Sequence, residues 1–275
     1  MDLITRISEG RTLTTTIGNS SNSSCSSMGP FCVAISLGII SLIIIRVLYV
    51  IYRSSQPRRD MSPLQPLCTL IVMGSGGHTA EMLNLLSVLQ EHRFKPRYYI
   101  AAATDNMSLP KAQVFENSLL DKEGVEKVGV AQFMQIYRSR EVGQSYITSV
   151  GTTLLAMAHA LWLMLKIRPQ VILCNGPGTC IPLCAIAFLL KIFGIRWSYI
   201  FYVESIARVQ RLSLSAFLLY KLRMADQLFV QWPQLKEKYP RAHYVGRLIY
   251  TLLRSINTKV RGYTYRVVES FVTTV

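Results

Sequence analysis

LCTLIVMGSGGHTAEML, residues 67–83, decides the fold. Its first seven residues carry no charge and are apolar but for Thr69, which has the length and character of a strand buried on both faces of a parallel sheet. Beyond the glycines, Met82, Leu83, Leu85, Leu86 and Leu89 recur at helical spacing within residues 79–90, giving a covering helix one broad apolar face. A strand, a glycine turn and a helix in that order bring several backbone N–H groups and the positive end of a helix dipole to one point at the carboxyl edge of the sheet. That geometry suits a phosphate or diphosphate, and glycine suits the turn because a side chain would hold the ligand off the backbone. As a dinucleotide fingerprint the loop is poor: Thr79 stands at the third glycine position, and the next strand ends in Ala101, Ala102 and Ala103 where a ribose-binding carboxylate belongs. As a P-loop it fails, since no Gly-Lys-Ser/Thr follows.

The alternation continues along the chain. YYIAAAT (98–104) reads as a strand, 110–120 as a helix, VEKVGV (125–130) as a strand, and a long helix ends near Ile167 before the strand VILCNG (171–176). Then come an apolar helix (179–193), the strand WSYIFYVES (197–205), a helix within 213–224, and the strands QLFVQW (227–232) and HYVG (243–246). Strands alternating with helices imply right-handed crossovers, so the expected fold is α/β: a single Rossmann-like, doubly wound parallel sheet. Residues 67–248 suffice for one such lobe and not for two. The segments 154–167 and 180–193 are apolar nearly all round yet shorter than a membrane span. Burial against the sheet is the favoured reading, and an interfacial face dipping into a membrane is the alternative.

With half of its 275 residues apolar the chain is neither disordered nor fibrous, and a net charge of +15 calls for an anionic partner, a nucleic acid or a membrane surface. FCVAISLGIISLIIIRVLYVIY (31–52) decides for the membrane. It is long enough to cross a bilayer core, with Arg46 as its one charge, near enough to the end to snorkel. A cleaved signal peptide fits less well, because some thirty mostly polar residues precede the stretch and no small-residue cleavage site follows it. Arg53, Arg58 and Arg59 follow at once, against Arg6 and Arg11 well upstream, so residues 1–30 are expected in the lumen and everything after 53 in the cytoplasm. The sequons at Asn19 and Asn22 are compatible with a lumen. Pro-, Ser- and Arg-rich residues 53–66 read as a linker. Cys25 and Cys32 lie before or in the span; Cys68, Cys174, Cys180 and Cys184 lack any C-x-x-C spacing and read as buried free thiols. No metal, no cofactor and no nucleic acid is expected.

His78, beside the glycines, is the candidate base or phosphate-orienting residue, and Glu81, one turn along, a candidate to orient it. A helix-capping histidine and a first-turn acid compensating the dipole are the plainer readings. Two further strand ends should face the same crevice: Asn175-Gly176-Pro177-Gly178-Thr179 and Glu204-Ser205. An ordinary turn and a solvated acid are the corresponding alternatives.

GSGGHTAEM (74–82), RSREVGQS (138–145), NGPGT (175–179), YVESIARV (202–209) and ADQLFVQWPQLKEKYPRAHYVGRL (225–248), behind a single anchor, resemble the asparagine-linked glycosylation protein fourteen family over most of residues 30–248. The resemblance implies the membrane-anchoring, acceptor-side half of a split GT-B glycosyltransferase. That enzyme transfers the second GlcNAc from UDP-GlcNAc to dolichol-diphosphate-GlcNAc at the cytosolic face of the endoplasmic reticulum. The donor-binding half is then a separate soluble subunit of the asparagine-linked glycosylation protein thirteen family, and this chain alone is not expected to be active. The resemblance further implies that Gly74, Ser75, Gly76, Gly77, His78 and Thr79 hold the acceptor diphosphate, with Asn175 and Gly176 carried over more weakly, that Glu204 is, more weakly again, a catalytic candidate, and that displacement is inverting and metal-independent, with His78 or a neighbouring acid taking the proton. The expected location is the endoplasmic reticulum membrane, single-pass, with the nuclear envelope as an additional site. Residues 249–275 depart from the family pattern and put docking of the donor subunit in question. Two other readings stand against this one: a membrane scaffold without a ligand site, and a self-sufficient membrane-bound glycosyltransferase.

Overall fold

The computed structural model of the chain describes residues 28–56, 65–89, 93–123, 131–138, 145–176 and 178–246. The strand expected at 125–130, most of RSREVGQS, Pro177, the sequons, most of the linker and the 249–275 tail lie outside the described residues.

Helix α1 (Met28–Ser54) covers the expected span and runs two residues past it, with Ser55 Oγ returning to Ile51 O at 2.9 Å. Its Phe31–Ser54 portion has the length and composition to cross a membrane. Leu42 and Ile45, 67% and 62% exposed, typify an apolar surface that no other described residue covers. Arg53 falls in the last turn, where a cation complements the helix dipole.

The α/β part consists of β1 (Thr69–Val72), α2 (Gly77–Val88), β2 (Arg97–Ala102), α3 (Ser108–Glu123), β3 (Gln132–Ile136), α4 (Tyr146–Ile167), β4 (Val171–Asn175), α5 (Cys180–Ile192), β5 (Tyr199–Val203), α6 (Leu214–Lys221), β6 (Gln227–Val230), α7 (Pro233–Lys238) and β7 (His243–Tyr244). The strands form one sheet in the order β3-β2-β1-β4-β5-β6-β7, and every pair is parallel. The doubly wound expectation holds. Chain direction across the sheet reverses between β1 and β4, which pair from Thr69↔Val171 to Val72↔Cys174. In such sheets ligands collect outside the carboxyl ends of the strands at this switch point.

Successive strand residues feed opposite cores, the period-2 rule at work. Leu70, Val72, Ile172 and Cys174 pack with α4, α5 and α6, whereas Ile71, Met73, Leu173 and Phe201 pack with α2 and α3. Helix α5 is buried as expected along Cys180, Leu183, Cys184 and Ala187. Helix α4 is two-faced instead. Ala156, Ala160, Leu163 and Met164 are buried, while Leu154 is 66% and Trp162 53% exposed, so its apolar outer face belongs to neither core. Helix α7 had no counterpart in the sequence reading, because six residues are too few to show a period.

Candidate functional site

The loop after β1 and the loop after β4 meet at the switch point. Gly76 has φ +62°, a left-handed value that glycine adopts without steric cost, and it precedes the first turn of α2. Ser75, Gly76 and Gly77 are exposed at this edge, with His78 half-buried behind them. Thr79 turns inward: its hydroxyl meets the Gly74 carbonyl and lies 2.7 Å from Ser108 Oγ. Ser108 Oγ donates to Asp105 Oδ2 at 2.5 Å and lies 3.0 Å from Gly74 O, so the two hydroxyls staple the loop to α3, and what Thr79 offers a ligand is main chain. Asp105 secures the start of α3 by accepting the N–H groups of Met107 and Ser108, both at 3.1 Å. Burial works to raise the Asp105 carboxyl, but hydrogen bonds from Ser108 and Met107 outweigh it and hold the group below its ordinary value.

His78 and Glu81 are joined through a third residue. His78 Nδ1 lies 3.0 Å from Asn175 Oδ1, and Asn175 Nδ2 donates to Glu81 Oε2 at 3.0 Å. The other carboxylate oxygen, Oε1, accepts from Ser205 Oγ at 2.8 Å. Asn175 is wholly buried, and Glu81 and Ser205 are buried with it. The order of donors then follows from chemistry. A carboxylate only accepts, so Glu81 takes the Asn175 amide N–H; the amide oxygen must face His78; and His78 Nδ1 must carry the proton it donates. Nε2 of the neutral ring is left with its lone pair.

Gly176 belongs to the same construction. It has φ +71°, and a β-carbon there would stand 2.2 Å from His78 Cε1. The imidazole occupies the space that a side chain at 176 would need, which is a requirement for glycine separate from any contact with a ligand.

Glu204 reaches the same sheet edge, yet its carboxylate is fully buried and turned inward. It accepts from Ser205 N at 3.0 Å, Ser213 N at 2.8 Å and Ser213 Oγ at 3.0 Å, tying the end of β5 to the start of α6. Burial pushes its pKa up, against those hydrogen bonds. A solvated surface acid it is not. Sequence reasoning placed Ser205 at the crevice with Glu204 without giving it a role, and it missed Ser108, whose position shortly after a strand end was the available signal. The sulfurs of Cys174, Cys180 and Cys184 lie within 4.8 Å of one another, a grouping their spacing conceals. All three are buried and free, and burial raises the Cys174 thiol.

Sheet order and hydrogen-bond pattern together define a doubly wound α/β lobe whose switch point carries a glycine loop and a His–Asn–Glu relay. A family model described as "Oligosaccharide biosynthesis protein Alg14 like" matches residues 69–248. The chain belongs to this Alg14 family. It is 42% identical over 220 residues to the human "UDP-N-acetylglucosamine transferase subunit ALG14", covering 78% of this chain and 97% of that one. The Yarrowia lipolytica protein of the same name is 42% identical over 217 residues, 77% of this chain and 95% of that one, and the Schizosaccharomyces pombe protein 40% over 181 residues, 64% and 81%. A crystal structure of MurG from Acinetobacter baumannii aligns at a TM-score of 0.40 and 18% identity, covering 60% of this chain and 41% of that one.

Proposed function

We propose that the chain is the membrane-held, acceptor-binding subunit of a split GT-B UDP-N-acetylglucosamine transferase. A soluble subunit of the asparagine-linked glycosylation protein thirteen family binds UDP-GlcNAc and docks on this one to complete the enzyme. The acceptor is dolichol-diphosphate-GlcNAc, presented at the cytosolic face of the endoplasmic reticulum. Residues 1–30 then lie in the lumen, α1 spans the bilayer, and the α/β lobe is cytosolic.

The observation that carries the reading is the relay from Glu81 through Asn175 to His78, set beside a glycine loop at the topological switch point. Exposed backbone at Ser75, Gly76 and Gly77, with the N-terminus of α2, suits the two phosphates of the acceptor. The 4-hydroxyl of the acceptor sugar attacks the anomeric carbon of the donor, the bond from that carbon to UDP breaks, and His78 Nε2 takes the hydroxyl proton. Glu81 holds the amide orientation that keeps Nε2 free and stabilises the imidazolium that forms. Glu204 acts as a positioning residue, bracing the end of β5 on which Ser205 stands. The exposed apolar outer face of α4 suits contact with a lipid surface, as an acceptor that never leaves the membrane requires.

Transfer from UDP-GlcNAc to a GlcNAc-diphosphate-lipid is measured in membranes carrying this chain, with and without the soluble subunit. Activity only with the partner supports the reading. Activity in membranes shown to lack any donor subunit overturns it in favour of a complete enzyme, and unchanged transfer by a partner-binding His78→Ala variant reduces the chain to a scaffold.

A further inference from the structure

At the opposite edge of the sheet, where β6 begins, a cavity of about 480 Å³ opens beside the cytoplasmic end of α1, with Ser54 in its wall. Two kinds of group line it, and they ask for opposite things.

The first are cations. Arg223 is exposed, and Arg241 is fixed in place by donating to Tyr220 O at 2.7 Å with its guanidinium 4.0 Å from the centroid of the Tyr220 ring. His243 also lines the cavity, but burial and the nearby Lys236 push its pKa down, so it adds no charge at neutral pH.

The second are acceptors without donors. Asp226 Oδ2 is fully used, by Lys191 Nζ at 2.5 Å and Ile200 N at 2.7 Å, whereas Asp226 Oδ1 is buried with no hydrogen-bond partner among the described residues. Gln227 Oε1, one residue on, is in the same position. Buried acceptors are rarely left unmade, and no described residue supplies either donor, so both fit a donor brought by a ligand. A plain anion satisfies the arginines and aggravates the acceptors. A plain ammonium does the reverse.

A ligand that answers both carries a phosphate and, a short link away, a nitrogen with hydrogens to donate. The cavity borders the end of the helix read above as the membrane span, so the nearest abundant source is lipid. We propose that this cavity holds the head group of an ethanolamine phospholipid, its ammonium toward Asp226 Oδ1 and Gln227 Oε1 and its phosphate between Arg223 and Arg241. Choline lipids share the phosphate but have no N–H, and phosphatidic acid has the phosphate alone. The site goes beyond the transfer reading and shares with it only the anchor.

The test uses the full-length chain in mixed micelles of one detergent, doped in turn with ethanolamine, choline or phosphatidic acid lipids of the same acyl chains, with retained lipid counted by native mass spectrometry. One ethanolamine lipid per chain is expected, preferred about tenfold over choline, the worth of one charge-assisted hydrogen bond. Arg223→Gln and Gln227→Leu should each lower retention while the melting temperature stays within a few degrees. Equal retention of ethanolamine and choline lipids, tighter binding of phosphatidic acid, no retention at all, or indifference to both substitutions overturns the proposal. Soluble phosphoethanolamine binding as tightly as the lipid overturns the membrane source. Neither UDP-GlcNAc nor the soluble subunit is present, so failure here leaves the transfer reading standing.

Discussion

At the scale of single residues, the site is a chain of enforced hydrogen-bond directions. Glu81 never meets His78, yet it dictates which imidazole nitrogen is free, because one amide between them can point only one way. His78→Ala should lower kcat by about 10²–10⁴ with partner binding intact, the range for losing a positioned base. Glu81→Gln is a finer probe. The new side chain can keep its oxygen toward Asn175 and donate its amide to Ser205, so the geometry survives and the negative charge does not. A fall of about tenfold in kcat with KM unchanged is expected, and a rise in KM instead would argue for a purely structural acid. Gly176→Ala combines a left-handed φ with a clash against the His78 ring, so about a hundredfold loss of transfer should accompany at least about 1 kcal/mol of destabilisation in denaturant melts.

At the scale of elements, α3 and the glycine loop are one unit, because Ser108 is at once the first residue of the helix and the residue whose hydroxyl meets Thr79 and Gly74 O. Asp105→Ala removes the acceptor for two N–H groups at that end and should cost about 1 kcal/mol at pH 7. The wild-type carboxyl has a depressed pKa when folded. Its contribution is therefore present above the unfolded value of about 3.9 and lost as pH falls through the lower folded value. The gap between wild type and variant should close in acid melts over that window, and a constant gap would assign the loss to packing. The elements themselves were largely legible beforehand. Strands β1 and β4 are uncharged runs that end at Gly74 and Gly176, helix α2 announces itself by apolar spacing, and α5 is apolar nearly all round. The relay was not legible, since Glu81 and Asn175 lie 94 residues apart and become neighbours only when β4 pairs with β1. Nor was the inward turn of Glu204, because a charged residue at a strand end carries no mark of burial. Helix α4 misled for a physical reason too: apolar residues all round fit a sheet and a lipid surface equally well.

At the scale of the whole molecule, one parallel sheet supplies one crevice, and the exposed outer face of α4 joins α1 as a second apolar surface on the chain. Leu154→Glu combined with Leu165→Glu should leave transfer to a short-chain, water-soluble acceptor unchanged and lower transfer to a long-chain acceptor in vesicles about tenfold. Equal loss with both acceptors would place those leucines in folding rather than at a lipid surface. The sheet order also has a consequence for how the molecule is made. β1 acquires its second neighbour only when β4, about a hundred residues later, has been synthesised. Until Asn175 has emerged from the ribosome, the nascent chain holds a strand with one bare edge and a glycine loop whose histidine has no partner. Completing the sheet and building the relay are thus a single event, and a translation pause before β4 would leave a chain that lacks the relay and is prone to pair with the wrong strand.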